Sequence, residues 1–261
     1  MLLDHIVIHV NDLEAAIVDY RSLGFTVTPG GEHADGNSHN ALISFADGAY
    51  LELIAFKRPP PPEHLFARGA AQGEGIITYA LLPDDIVADV ATAKERGLDL
   101  EGPYPGGRFR PDGVRLEWQT ARASTPDLPF LCADVTPREL RVPGGAATKH
   151  ANGVMGIANI WVVVQNLEVS MERYSRLLGV EPVVNPRDSI ARIASFMLHR
   201  TIIIVARPDK GPVLQHLEHR GDGPYMLALR ASGDPASITL DPALSHGAKI
   251  AIAYGEIGAA P

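Results

Sequence analysis

Two stretches of this chain repeat each other. The sequence DHIVIHVNDLE, Asp4 to Glu14, returns as ANIWVVVQNLE, Ala158 to Glu168, with strand-like alternation, polar turn and helix start in register. The following helices match as well: Leu13, Ala16, Ile17 and Tyr20 at helical period are replaced by Leu167, Ser170, Met171 and Tyr174. YRSLGFTV is echoed by YSRLLGVEPV with one residue inserted, and ISFADGAYLELIAF lines up with ASFMLHRTIIIVAR. A duplicated chain must fold each copy from the same elements, which restricts it to tandem units.

Each unit reads as βαβββ. After the first strand, Asn11 and Glu14 have capping-box spacing, and Gly24 ends the helix. Strands follow at FTVTPGG, NALISFA and AYLELIAF, separated by turn residues. Between the two copies lies a diverged unit with strand IITYALL, helix DDIVADVATAKERG and later strands VRLEWQTA and LPFLCAD. A shrunken fourth unit runs from YMLALRA to KIAIAYG. The expected class is α+β, in two halves: 1–135 with two units, a Pro- and Gly-containing linker at 136–153, and 154–261 with one full and one degenerate unit. RPPPP at 58–62 reads as a stiff connecting loop.

At 261 residues, with 46% hydrophobic and 21% charged, the chain has ample core for two domains. No apolar run approaches a membrane span, and Asp4 and His5 interrupt any signal-peptide core, so no membrane partner and a cytoplasmic location are expected. Cys132 is the only cysteine, which excludes an internal disulfide and suits a reducing compartment; it reads as a small buried residue. A net charge of −8 without clustered Lys and Arg argues against nucleic acid and for a small-molecule ligand.

Alternation along the strands sorts polar from apolar faces. His5, Val7 and His9 oppose Ile6, Ile8 and Val10. Tyr50, Glu52, Ile54 and Phe56 oppose Leu51, Leu53 and Ala55. Arg115, Glu117 and Gln119 oppose Val114, Leu116 and Trp118, with Trp118 expected to pack under helices.

Paired units that begin LDHIVIHVNDLEAAIVDYRSLGF and close DGAYLELIAF resemble the vicinal oxygen chelate superfamily. GGEH, SHNALISFADGAYLELI, LPFLCAD and HANGVMGIANI look like its glyoxalase-like branch. The resemblance implies the glyoxalase/bleomycin resistance/extradiol dioxygenase-like fold. In it the curved mixed sheets form a cup, with helices outside and the site inside. It implies action on a small oxygenated metabolite as lyase, isomerase or dioxygenase, and a homodimer. The superfamily also includes metal-free binding proteins, so fold alone does not choose.

In the superfamily pattern the first strand gives a His and the fourth a Glu to a divalent ion, and here His5 and Glu52 hold those positions. Imidazole and carboxylate suit Fe, Mn, Ni, Co or Zn. The partner unit offers only Ile77 or Thr78 and Phe130 or Leu131 where further ligands would stand, leaving His9, His33, His39 or Glu117 as replacements. The alternative is a metal-free binding or sequestering pocket in which His5 and Glu52 pair directly, with Glu52 as general base or His5 as proton carrier. In the second half His5 becomes Asn159 and Glu52 becomes Ile203, so the chemistry is expected in the first half.

GGEH and NSHN flank a turn, which makes His33 and Asn40 candidates for substrate binding together with His9; His39 reads as surface, and Gly30 and Gly31 as turn residues. Arg115 is a candidate to hold a carboxylate or phenolate, or to pair with Glu117. LQHLEHRGDG lacks zinc-protease spacing and reads as a solvated connector, and no G-x-S-x-G elbow is present.

Overall fold

The strands realise the alternation literally. In the computed structural model, which describes residues 1–185, 191–233 and 237–254, Ile6, Ile8, Leu51 and Leu53 turn outward into a helix-covered core. Val7 and Ile54 turn inward, into a smaller apolar cluster with Ala80, Phe130 and Cys132.

The first unit comprises β1 (Leu2–His9), α1 (Leu13–Ser22), β2 (Thr28–His33), β3 (Ser38–Ser44) and β4 (Tyr50–Phe56). A short α2 (Ala67–Ala70) leads to β5 (Gly75–Leu82), α3 (Ile86–Glu95), β6 (Glu101–Phe109), β7 (Arg115–Arg122) and β8 (Phe130–Asp134). The turn α4 (Arg138–Arg141) precedes β9 (Val154–Val163), α5 (Leu167–Leu178), β10 (Val183–Asn185), β11 (Ala191–Leu198) and β12 (Thr201–Pro208). Last come α6 (Gly211–Arg220), β13 (Gly223–Ala231), β14 (Ser237–Thr239) and β15 (Ile250–Tyr254). The helix caps are polar and local: Asp12, Asp85 and Asn166 each accept backbone N–H bonds from the first turn. Asp12 therefore caps α1 in place of the expected Asn11, whose own N–H donates to Glu74.

The two halves use the same strand order but end differently. The first closes into a barrel, β1-β4-β3-β2-β6-β7-β8-β5, and the second is an open sheet, β10-β11-β12-β9-β13-β15-β14. β2 is joined to β6 through the pairs Glu32 with Phe109 and His33 with Arg108. Among the described residues the second half has no counterpart of β6, and its sheet stays open. β6 has no counterpart among the expected strands: Gly102, Pro103, Pro105, Gly106 and Gly107 are residues that normally interrupt strands, yet they lie in one paired with β7. LQHLEHR is another difference, because it forms most of α6 instead of a connector, with Pro212 at its start and Gly221 after its end. No helix among the described residues is long and apolar enough to cross a membrane.

The halves share one core. Tyr79 of β5 and Tyr174 of α5 are hydrogen-bonded hydroxyl to hydroxyl, and Tyr174 donates onward to the Asp127 carbonyl at 2.6 Å. Ser170 and Arg173 of α5 hold the Asp127 carboxylate at 2.8 and 3.2 Å. Removing the Tyr174 hydroxyl strands two buried groups, whereas removing that of Tyr79 leaves the Asp127 bond intact. Tyr174→Phe is expected to cost about 1–3 kcal/mol in chemical denaturation and Tyr79→Phe clearly less; equal losses would place the bond elsewhere.

Candidate functional site

Inside the barrel, β1 and β4 are parallel neighbours with His5 opposite Tyr50 and Val7 opposite Glu52, which sets His5 and Glu52 on one diagonal of the inner face. His5 Nε2 lies 3.5 Å from Glu52 Oε2. Asn40 of β3 donates its amide to Glu52 Oε1 at 2.6 Å. His33 of β2 brings Nε2 to 3.6 Å from the same oxygen, its Nδ1 being 3.0 Å from the Ser38 hydroxyl. Gly30 makes this packing feasible, since a Cβ there would sit 2.0 Å from Asn40 Oδ1. Both Gly30 and Gly31 belong to β2 and not to the turn beyond it.

His5 is held from behind by Asp4, whose Oδ2 is 2.7 Å from His5 Nδ1. Neighbours on a strand should face opposite ways, but the β1–β5 pairing slips between Leu3 and His5, and the irregularity lets both side chains meet. Asp4 is fully buried and bound by Arg141 at 2.9 and 3.2 Å and by Arg138 at 2.6 Å. Arg141 uses every N–H it has: two on Asp4, two on Asp134 and one on the Tyr50 hydroxyl. Burial alone would raise the Asp4 pKa, but Arg141, the His5 hydrogen bond and Arg138 outweigh it and hold the carboxyl well below the usual range. Both arginines lie in the segment 136–153, which supplies the buttress of the site.

Tyr50 stacks on His5 with ring centroids 4.6 Å apart. Burial pushes its pKa well up, so it stays a phenol. Burial likewise lowers the pKa of His33 and raises that of the Cys132 thiol, leaving both neutral near pH 7. These groups surround a cavity of about 410 Å³ whose remaining wall is largely apolar: Ile54, Leu65, Phe66, Trp118 and Phe130. Trp118 thus lines the cavity, edge-on to His33, in space that Gly106 leaves free: a Cβ there would fall 2.3 Å from its indole nitrogen.

A model of the glyoxalase-like domain matches residues 3–178. The chain belongs to that family. Its fold is that of the vicinal oxygen chelate superfamily. A hypothetical protein from Staphylococcus aureus superposes with a TM-score of 0.75 at 14% identity, covering 97% of this chain and 98% of that one. A mutant of 4-hydroxymandelate synthase from Streptomyces coelicolor gives 0.60 at 16%, over 88% and 71%. A xylose isomerase-like TIM barrel/4-hydroxyphenylpyruvate dioxygenase fusion protein gives 0.60 at 12%, over 99% of this chain and 49% of that one. No curated protein matches.

The family's fold raises the question of a metal on His5 and Glu52. The donors come from one unit only. The partner unit places Ala80 directly beside His5 and presents Phe130 and Cys132 to the cavity, and among the described residues no group of three or more His, Cys, Asp or Glu is arranged to hold an ion. The donor set present does not fit a resident metal.

Of the sequence candidates, His5, Glu52, His33 and Asn40 converge on the cavity. His9 shares their face of β1 but lies beyond Val7, with Nδ1 3.0 Å from the Gly73 carbonyl and its ring against Phe56, away from the cavity lining. Arg115 corrects the expectation most clearly: it is on the exposed outer face of β7, paired with Glu117 at 2.9 Å. Leu116, Trp118 and Thr120 take the inner face, so Glu117 is no ligand either. Alternation separates two faces without saying which is inside. His39 alternates with Ser38 and Asn40 and does not line the cavity. The guanidinium groups that do line it belong to Arg108 of β6, Arg122 of β7 and Arg141 of α4. Asp4, Asp134, Arg138 and Arg141 were not singled out; the available signal was Asp4, a charge inside an otherwise apolar strand.

Replacing Asp4 leaves two arginines facing one carboxylate, and Asp4→Asn is expected to cost about 3–5 kcal/mol at pH 7. Because the folded-state pKa lies below the ordinary 3.8, the contribution is complete above that pH and is lost as pH falls through and below it. Urea titrations from pH 7 to pH 2 check both points: the variant's stability curve must be flatter on the acid side than that of the wild type.

Proposed function

We propose that the barrel cavity binds a small oxygenated metabolite and shifts a proton on it, as an isomerase or lyase does, with Glu52 and His5 as the proton-handling pair. The observation that supports this reading is the line Asp4–His5–Glu52. A carboxylate held ionised near neutral pH orients one imidazole nitrogen, and the other faces a second carboxylate at the cavity wall. An imidazole fixed in this way can accept a proton at Nε2 and return it without reorienting.

Each neighbour has a matching task. The Asn40 amide holds Glu52 Oε1, leaving Oε2 toward His5 and the substrate. Arg141 donates to the Tyr50 oxygen, so the phenol's own proton is free to be given to a substrate oxygen as charge builds there. Neutral His33 can accept or donate at the same edge. At 16% and 12% identity the likeness to a synthase and a dioxygenase fusion is one of fold and carries no chemistry to this cavity.

The test is solvent hydrogen exchange. Small α-hydroxy and α-oxo compounds incubated with the protein in D₂O are expected to gain deuterium at the carbon next to oxygen, by NMR. Glu52→Gln should slow this by at least about a hundredfold. Protein purified without chelator or nickel resin should carry well under one metal per chain. Exchange unaffected by Glu52→Gln overturns the reading, as does near-stoichiometric metal lost in Glu52→Ala; binding without exchange returns the cavity to a sequestering role.

A further inference from the structure

The buried charges around the cavity balance in number, since Glu52 and Arg108 have opposite sign and feel each other at a distance, but they are not all paired in contact. Asp4 and Asp134 are matched by Arg138 and Arg141. Glu52 has Asn40, His5 and His33 around it. Arg108 is different. It is 3% exposed, lines the cavity, and binds only carbonyl oxygens, one of Gly30 and one of Arg141 at 3.0 Å. Among the described residues no carboxylate lies within ion-pair distance of it. Arg110, Arg115 and Arg122, in β7 and the turn before it, all have acidic partners; of these only Arg122 lines the cavity, and it is paired with Glu101.

A guanidinium cannot shed its charge, so burial without a counterion is costly unless a ligand supplies one. Two of its five N–H groups are on carbonyls and the remainder are available. We infer that the ligand of this cavity is a monocarboxylate with an apolar body, its carboxylate seated on Arg108 and its reacting end toward Glu52 and His5. Arg122 and Arg141 also line the cavity but are already paired with carboxylates, so Arg108 alone is left to neutralise one negative charge, which favours a monoanion over a phosphate dianion. Ile54, Leu65, Phe66, Trp118 and Phe130 accommodate the body. This inference rests on the proposed use of the cavity but concerns a different residue, and it stands or falls by binding.

Monocarboxylates of four to ten carbons, aliphatic and aromatic, are titrated beside their neutral primary amides, with Trp118 fluorescence and thermal shift as readouts. At least one acid is expected to bind about tenfold tighter than its amide or more. Arg108→Gln should abolish that preference while Arg115→Gln leaves it intact. Should Arg108→Gln not fold, Arg108→Lys, which keeps the charge but not the fork, is expected to retain a weakened preference. Glu52→Gln should keep or strengthen acid binding even where it abolishes deuterium exchange, so the two proposals fail separately. If every acid binds no better than its amide, or Arg108→Gln preserves the preference, the inference is wrong.

Discussion

Four residues, Glu32, His33, Arg108 and Phe109, turn a curved sheet into a closed one. Until β2 pairs with β6, the polar side chains of β1, β3 and β4 face an open trough, in which imidazoles and carboxylates would be hydrated and weakly held. Closure gives them a shared interior of about 410 Å³. The seam itself is part of that interior, because two of the four closing residues, His33 and Arg108, line the cavity. The second half has the same order of strands without that seam. In the matching strand pairs it carries Asn159 and Ile204 where the first half carries His5 and Glu52, one residue beyond the Ile203 expected from the sequence, so loss of closure and loss of polar donors coincide.

A closed polar interior must be electrostatically balanced. Arg138 and Arg141 reach in from the segment that joins the halves and neutralise Asp4 and Asp134. That pairing keeps Asp4 charged in a fully buried position and so fixes His5, the residue on which any proton transfer depends. The joining segment is thus not a passive tether, since the orientation of the reactive imidazole depends on it. Arg108, bound only by carbonyls, is the buried guanidinium of the cavity that has no carboxylate in contact, Glu52 acting on it only from a distance.

Duplication, unit type and the inner faces of β1 and β4 were legible because each is written in period-two or period-3.6 patterns over whole elements. His5, Glu52, His33 and Asn40 could be gathered from strand position together with the family resemblance. β6 was not legible because Gly and Pro dominate it, residues that normally interrupt strands; here Gly106 makes space for the Trp118 side chain. The face of β7 was misassigned because polarity was taken to mean inside, whereas Arg115 and Glu117 are polar toward solvent. The Asp4 contact to His5 depends on an irregular strand pairing, and that of Arg141 on a four-residue helical turn far along the chain. Neither has a periodic signature.

The account is tested most directly by a crystal structure with a bound monocarboxylate, collected with anomalous data that would reveal any transition metal. The predicted result is a carboxylate against Arg108, the adjacent carbon facing Glu52 Oε2, and His5 still bridged to Asp4, with no metal between His5 and Glu52. A ligand seated outside the barrel, or an ion on His5 and Glu52, would contradict it.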